Sequence, residues 1–320
     1  MTQTTQFLAP LPDLAVLRIS GADAATFLHS QLSNDITGIG PGDARLSAYC
    51  NPKGRMLGSM ILWKETESTD SAFLALAKAD VVETMLKRLR MFVLRAKVVF
   101  ETTPLHAHGL CVVHAANESG TLPWRVERSA DMTLISAPSA SPDIARRWVV
   151  GRPEQGSEAL AEYFDVSQAP ASAWQAQDIQ AALGWIEQGN VELFIPQSLA
   201  YDLTGGVSFS KGCYPGQEVV ARAHYRGTVK RRVVPARCSL GVEFALNAGD
   251  DIFDAGRPNS PAGRVVNAAC MAAGDGQAAE WYLLMEISLT DMDQADFRAL
   301  SPEGPAISLL PVPYPLEAAQ

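Results

Sequence analysis

The segment Phe209-Ser210-Lys211-Gly212-Cys213-Tyr214-Pro215-Gly216-Gln217-Glu218-Val219-Val220-Ala221-Arg222 sets one cysteine between two glycines, two residues after a lysine. Gly212, Pro215 and Gly216 are turn formers, and Gln217 to His224 contains good helix formers, so Cys213 is expected at the mouth of a helix. Backbone N–H groups at a helix start, with Lys211 and Arg222 in reach, would favour a thiolate over a thiol there. The same spacing suits a plain turn in which Cys213 is a small buried hydrophobe.

Lys211 to Glu218 resembles the signature of the YgfZ family, the folate-binding relatives of the glycine-cleavage aminomethyltransferase. Ile19-Ser20-Gly21-Ala22-Asp23 to Leu28 and Gln31-Leu32-Ser33-Asn34-Asp35 resemble that family's N-terminal strand and helix. Asn51-Pro52-Lys53-Gly54-Arg55-Met56 resembles its first hairpin, and Phe92-Val93-Leu94-Arg95-Ala96-Lys97-Val98 its central strand. These stretches occur in family order within the first 232 residues. The resemblance implies an α+β fold in which two α/β subdomains and a C-terminal antiparallel β-barrel close a ring. On that pattern residues 1–234 form the folate-binding region and 235–320 the barrel.

Length and composition agree with such a protein. A chain of 320 residues exceeds one ordinary core, so two or three domains are expected. Hydrophobic content of 47% with 19% charged residues belongs to a globular protein rather than a disordered one. No apolar run approaches the roughly 20 residues needed to span a bilayer. Met1 to Ala9 lacks a basic stretch followed by an apolar block, so no secretory signal is expected. Cysteines 50, 111, 213, 238 and 270 form no C-x-x-C pair. That pattern points to a reducing cytoplasm, without a disulfide framework or a self-contained zinc site.

The net charge of −9 is unevenly distributed. Pro235 to the end holds 4 arginines, no lysine and 12 carboxylates, leaving the first 234 residues close to neutral. Within them Lys211, Arg222, Arg226, Lys230, Arg231 and Arg232 stand against Glu218 alone. Such a cluster suits an anionic partner, a folate glutamate tail or RNA phosphates. It equally suits a solvated face, or ion pairing with the acidic C-terminal region.

Local patterns outline the elements. Ala15 to Ile19 reads as a strand, and Ser20 with Asp23 resembles a capping box for a helix through Ser30. Ala48–Cys50 and Met56–Trp63 read as strands joined by the turn at Asn51–Gly54. A helix from Ala79 carries Val82, Met85, Leu86 and Leu89 on one side, and Ala96, Val98 and Phe100 alternate as a half-buried strand. Beyond Arg232, turn signals at 247–250, 254–256, 261–263 and 274–276 suggest a small antiparallel barrel, with a helical turn near Asp291–Ala299.

A helix starting near Ser172 carries two stripes. Ile179, Ala182, Leu183 and Ile186 form a core stripe, whereas Trp174, Asp178, Ala181 and Trp185 form another. Two indoles flanking a carboxylate could make a slot for a flat heteroaromatic ring, or could simply pack between domains. The resemblance implies that Trp174 borders the folate pocket; a second aromatic of some members is replaced here by Leu14.

The transferases use an acidic residue on the strand after the first hairpin, where this chain has Gly58 and Ser59. No Asp or Glu lies between Ala44 and Lys64, so ordinary glycine-cleavage chemistry is not expected. His224 would sit about 10 Å along the helix from Cys213, which argues against a Cys–His dyad and for an exposed imidazole. His106, His108 and His114 surround Cys111, and metal binding by them would need convergence.

The resemblance implies a cytoplasmic protein that binds tetrahydrofolate or a one-carbon derivative, without a stably bound metal. It would support assembly or repair of iron–sulfur clusters and, through them, tRNA-modifying enzymes such as methylthiotransferases. Cys213 would then act as a transient cluster ligand or redox nucleophile, with Lys211 and Arg222 favouring its thiolate and Glu218 accepting backbone N–H bonds in the turn. Trp174 would pack on the pterin and Asp178 would accept a hydrogen bond. Two other readings remain: a folate-dependent one-carbon transferase or demethylase, and a module binding tRNA directly through Arg222, Arg226 and Lys230 to Arg232.

Overall fold

The computed structural model describes residues 6–65, 72–113, 122–129, 131–225, 229–271 and 278–316. His114, Arg226 and the turn signal at 274–276 lie outside the described residues. The first half runs β1 (Phe7–Pro10), β2 (Leu14–Ser20), α1 (Ala24–Gln31), β3 (Ala44–Cys50), β4 (Met56–Lys64), β5 (Ala72–Lys78), α2 (Ala79–Val93), β6 (Val99–Thr102) and β7 (His106–Val113). Next come β8 (Val126–Ser129), β9 (Met132–Ala137), β10 (Ile144–Gly151), α3 (Ser157–Tyr163), β11 (Ser167–Gln168), α4 (Ala171–Gln180) and α5 (Gln217–Tyr225). The chain ends with β12 (Arg231–Leu240), β13 (Asp251–Asp254), β14 (Gly263–Met271), β15 (Ala279–Ser288), β16 (Phe297–Ala299) and β17 (Ser308–Leu309).

Three sheets result. Strands β3-β4-β5-β2-β6 form one, β11-β1-β7-β10-β9-β8 a second, and β16-β13-β14-β15-β12-β17 a third. The first two interleave in sequence, because β1 joins the later strands and β2 the earlier ones. The third sheet is antiparallel throughout and opens at Arg231.

Burial follows side-chain alternation along each strand. On β5, Phe73, Ala75 and Ala77 face a core shared with Phe27, Leu28, Met85 and Leu89 of α1 and α2. Leu74 and Leu76 face the opposite core, with Trp63, Trp148, Trp174 and Ile179. Being covered on both faces, β5 reads as an unbroken apolar run rather than as alternation. The α2 stripe of Val82, Met85, Leu86 and Leu89 is buried, as its spacing requires.

Four local expectations are corrected. Helix α1 starts at Ala24 without a side-chain cap, because the Asp23 carboxylate accepts the Lys97 N–H at 2.7 Å instead. Phe92–Val98 is not a strand: α2 runs to Val93, and Ala96 N–H donates to the Val93 carbonyl in a tight turn through Leu94 (φ 45°). Helix α4 stops at Gln180, so Ala182, Leu183 and Ile186 are buried by a turn rather than by helical spacing. Near Asp291–Ala299 a short 3-10 turn, Leu289–Asp291, precedes strand β16.

Candidate functional site

Segments from both halves of the chain converge on the loop that carries Cys213. Lys211 Nζ donates to the carbonyls of His29 and, at 2.8 Å, Leu32. These are carbonyls at the C-terminal end of α1, where a cation is favoured. Ser208 N–H donates to the Ser33 carbonyl at 2.9 Å, and Ser33 Oγ donates to the Gly206 carbonyl at 2.6 Å. Asn34 Nδ2 bridges the carbonyls of Gly205 and Leu46. The β3–β4 turn packs backbone against backbone on the loop: a Cβ on Gly216 (φ +82°) would lie 2.7 Å from Gly54 Cα. Gln197 Nε2, buried, donates to the Val220 carbonyl at 2.6 Å and fixes α5 from below.

Cys213 is exposed, whereas Cys50, Cys111 and Cys238 are buried and Cys270 is half-buried. Burial pushes the Cys50 thiol up to about 12 and that of Cys238 up to about 11, which leaves both inert. Burial also lowers Lys211 to about 8, opposed by the charges of Asp35 and of Cys213 when ionised. Its ammonium lies 4.8 Å over the Tyr214 ring. Lys211 is therefore a cation tied to the loop and electrostatically coupled to Cys213.

Other expected roles change. Glu218 accepts no backbone N–H in the turn; it accepts from Arg222 Nη2 at 2.6 Å, on side chains 83% and 69% exposed. Arg222 thus pairs with Glu218 on the exposed face of α5. His224 is half-buried, stacked on Phe209 with ring centroids 3.7 Å apart. The histidine that reaches the loop is His29, whose Nε2 lies 3.8 Å from the Cβ position of Gly212. Its Nδ1 meets Asp35 at 3.0 Å, and hydrogen bonds from Thr37 and Gly38 hold that carboxyl below its ordinary value. Nothing local marked His29, because the α1 turn and the cysteine loop are far apart in the chain.

Two further cations of the basic cluster are paired with carboxylates. Arg232 and Asp202 form a two-pronged ion pair at 2.8 and 2.9 Å with both side chains 2% exposed, so Arg232 is a core residue. Arg231 pairs with Glu286 at 2.7 Å, the bond to the acidic C-terminal region that the charge pattern allowed. Lys230 is exposed and has no ion pair among the described residues.

The indole slot is closed. Trp174 is buried, its face covered by the Arg146 guanidinium at 4.1 Å. Arg146 also pairs with Asp178, which accepts the Trp185 indole N–H at 3.0 Å. Burial pushes the Asp178 carboxyl up, and Arg146 and Trp185 oppose it. Trp148 joins the group edge-on to both Trp174 and Trp185. A second buried charge group went unread in the sequence: Lys78 Nζ lies 2.7 Å from Asp13 and 2.8 Å from Glu187. Burial alone would lower Lys78, but the two carboxylates outweigh it and raise it.

His106 is exposed, and His108 is buried with Nε2 3.1 Å from Ser157 Oγ; burial pushes His108 down. Among the described residues no group of three or more His, Cys, Asp and Glu side chains converges. No helix among them is long and apolar enough to cross a membrane.

No family model matches the chain. It is 31% identical over 235 residues to the tRNA-modifying protein YgfZ of Cronobacter sakazakii, covering 70% of this chain and 69% of that one. With the tRNA-modifying protein YgfZ of Enterobacter sp. strain 638 the identity is 30% over 97% of this chain and 94% of the relative. The chain belongs to the YgfZ family. Among solved structures, the glycine cleavage system aminomethyltransferase T from Bartonella henselae superposes with a TM-score of 0.68 over 98% of this chain and 87% of that one. At 16% identity that likeness concerns the fold, which is the aminomethyltransferase fold with its C-terminal antiparallel barrel.

In this YgfZ-family chain the strand after the first hairpin carries Gly58 and Ser59 and no carboxylate. A Cβ on Gly58 would meet Met85 Sδ at 2.6 Å, and buried Ser59 Oγ accepts the Ile186 N–H at 3.0 Å. The concavity adjoining the cysteine helix lies elsewhere. A cavity of about 650 Å³ opens between Arg55 of the hairpin, Ala223 of α5 and the barrel strands β14 and β15. That volume is within the range of small-molecule sites.

Proposed function

We propose that this YgfZ-family protein binds a reduced folate in the 650 Å³ cavity and supports the upkeep of iron–sulfur enzymes, among them enzymes that modify tRNA, through the thiol of Cys213. The carrying observation is the convergence of residues 29–34, 51–54 and 205–211 on the loop that displays the exposed cysteine. A loop held by this many hydrogen bonds and a backbone clamp while it displays an exposed thiol is expected of a working group rather than of packing. The relatives' name, tRNA-modifying protein, and the aminomethyltransferase fold support the partner and the ligand respectively.

In this reading Lys211 holds positive charge beside the loop, His29 and Asp35 border it, and the cluster is cargo that meets the Cys213 sulfur. Trp174 and Asp178 act through the core, with Arg146, rather than by touching the pterin. The folate would meet Arg55 and Lys230 at the cavity edge, opposite the aliphatic and aromatic wall. Direct tRNA binding through the basic cluster is less favoured, since Arg231 and Arg232 are already paired.

The test has two arms. Tetrahydrofolate is titrated calorimetrically into the full chain, with saturable micromolar binding expected. Separately, Cys213→Ala is placed in cells lacking the protein, and methylthiolated tRNA is quantified. Loss of the modification with normal protein levels is expected; full modification would overturn the thiol role.

A further inference from the structure

We infer that a second cavity, between the β1–β2 turn and the start of α3, binds a small uncharged molecule that joins an apolar ring to a primary carboxamide. This site is independent of the folate reading above. Its volume is about 380 Å³, within the range of small-molecule sites. It lies where β1 and β10 end and β7 begins: Pro10 stands opposite His108, and Gly151 opposite His106, in the strand register. Its polar wall is on the face of the second sheet away from Trp174. A Cβ on Gly109 would collide with the Trp174 ring, so the neighbouring His108 takes the other face by strand alternation. Leu110, two residues on from His108, accordingly packs in the outer core with Leu8 and Leu160.

The lining defines the ligand. No Asp, Glu, Lys or Arg borders the cavity, so a charged molecule would be desolvated there without a counter-charge. Burial and the nearby His106 lower His108, which keeps that wall uncharged at neutral pH. Pro10, Leu11, Pro12, Leu14 and Leu105 form an apolar wall for a ring. The polar groups opposed to water are His108, Gln155 and Ser157. His108 is 5% exposed; its Nε2 meets Ser157 Oγ at 3.1 Å, and its Nδ1 is buried without a partner. Gln155 Oε1 is also buried without a partner, and the Gln155 side chain makes no hydrogen bond among the described residues. Buried polar atoms left in this state are costly, and a ligand that pairs with them relieves the cost. A primary carboxamide does so at one end. It can donate one N–H to Gln155 Oε1, accept Gln155 Nε2–H at its carbonyl, and offer its second N–H to the Ser157–His108 pair. Gln155 lies over Gly151, where any Cβ would collide with Oε1.

The test titrates benzamide into the full chain at neutral pH, read by ligand-observed saturation-transfer NMR. Saturable binding in the millimolar range is expected of a ligand this small. Benzoate has the same shape but is charged, and acetophenone has the same shape but no N–H donor. Each should bind about fivefold or more weakly than benzamide. Gln155→Leu removes the amide, and Gly151→Ala displaces it at little cost to the fold, because the colliding atom ends a flexible side chain. Each variant should weaken benzamide about three- to tenfold and remove its advantage over acetophenone, with the unfolding midpoint measured alongside. Leu14→Trp, which fills the cavity from its apolar wall, should abolish binding of both. The site is overturned by any of four results: no saturable binding of benzamide, equal binding of benzoate, an advantage over acetophenone that persists in Gln155→Leu, or undiminished binding to Leu14→Trp. Saturating tetrahydrofolate should not displace benzamide. Displacement would put the ring in the folate site and overturn a separate one, whereas the folate reading stands or falls on its own titration.

Discussion

Gly54 and Gly216 meet backbone to backbone, each with positive φ (+73° and +82°), and so clamp the first hairpin onto the cysteine loop. A methyl group on Gly216 would also lie 2.8 Å from Gly54 N, where neither side can yield without moving main chain. Gly216→Ala should therefore cost more than the roughly 1–2 kcal/mol of left-handed strain alone. Gly205→Ala, at φ +79° with nothing within 4 Å, should cost only that strain. Urea denaturation of the two variants checks the difference; equal losses would mean that the contact at Gly54 is not binding the loop.

Lys211 gives the loop a pH signature. Its value is lowered from the ordinary 10.5 to about 8, so between those limits the unfolded chain binds the extra proton. Stability from this group therefore rises with pH across that window and is lowest below about 8. The buried thiols act oppositely above about 9, since the unfolded chain loses their protons first. The difference between wild type and Lys211→Met cancels those shared effects. That difference should move in favour of wild type from pH 8 to 10, and a flat difference would contradict the burial of the ammonium.

Thiol labelling should be selective. Cys213 is exposed, and Cys50, Cys111 and Cys238 are buried with their thiols pushed up. Brief iodoacetamide treatment of native protein at neutral pH should modify Cys213 first, with Cys270 following, as read by peptide mass spectrometry. Early modification of Cys50 would contradict its burial in the core.

What the sequence made legible was punctuation and period. The glycines and proline around Cys213 announced the turn and α5, and Asn51–Gly54 announced the hairpin, because those signals are local. What stayed hidden was which segments meet. No local rule joins Gly54 to Gly216, His29 to Gly212, or Lys78 to Asp13 and Glu187. The indole stripe was read as one helix face, but α4 ends at Gln180 and Trp185 reaches Asp178 from the following turn; of its two readings, packing describes the group, because Arg146 from β10 covers Trp174. Phe92 to Val98 misled for a related reason: a helix end and a tight turn carrying exposed Phe92 and Leu94 have the composition of a strand.

Arg232 and Arg222 belong to the same basic run and should behave oppositely. Removing Arg232 strands the Asp202 carboxylate in the core, so Arg232→Met should cost about 3–5 kcal/mol. Arg222 makes one exposed i,i+4 pair, and Arg222→Ala should cost no more than about 0.5 kcal/mol. Thermal denaturation of both variants is the check. A mild Arg232 variant would mean that the pair is hydrated and available to a partner.

The Arg146–Asp178 pair decides how Trp174 variants are to be read. Trp174→Ala removes a buried indole and the platform under Arg146, at about 3–5 kcal/mol, so loss of ligand binding in that variant would report a damaged core. Arg146→Met should cost a similar amount by leaving Asp178 unpaired, and burial would then drive its carboxyl to the protonated form. Arg146→Met combined with Asp178→Leu should recover most of the loss, because an apolar pair replaces a buried ionic one at little cost. Trp174→Phe keeps an aromatic face and should leave tetrahydrofolate affinity unchanged if the pterin sits in the cavity beside α5. A large fall in affinity with an intact unfolding midpoint would move the pterin back to the indole.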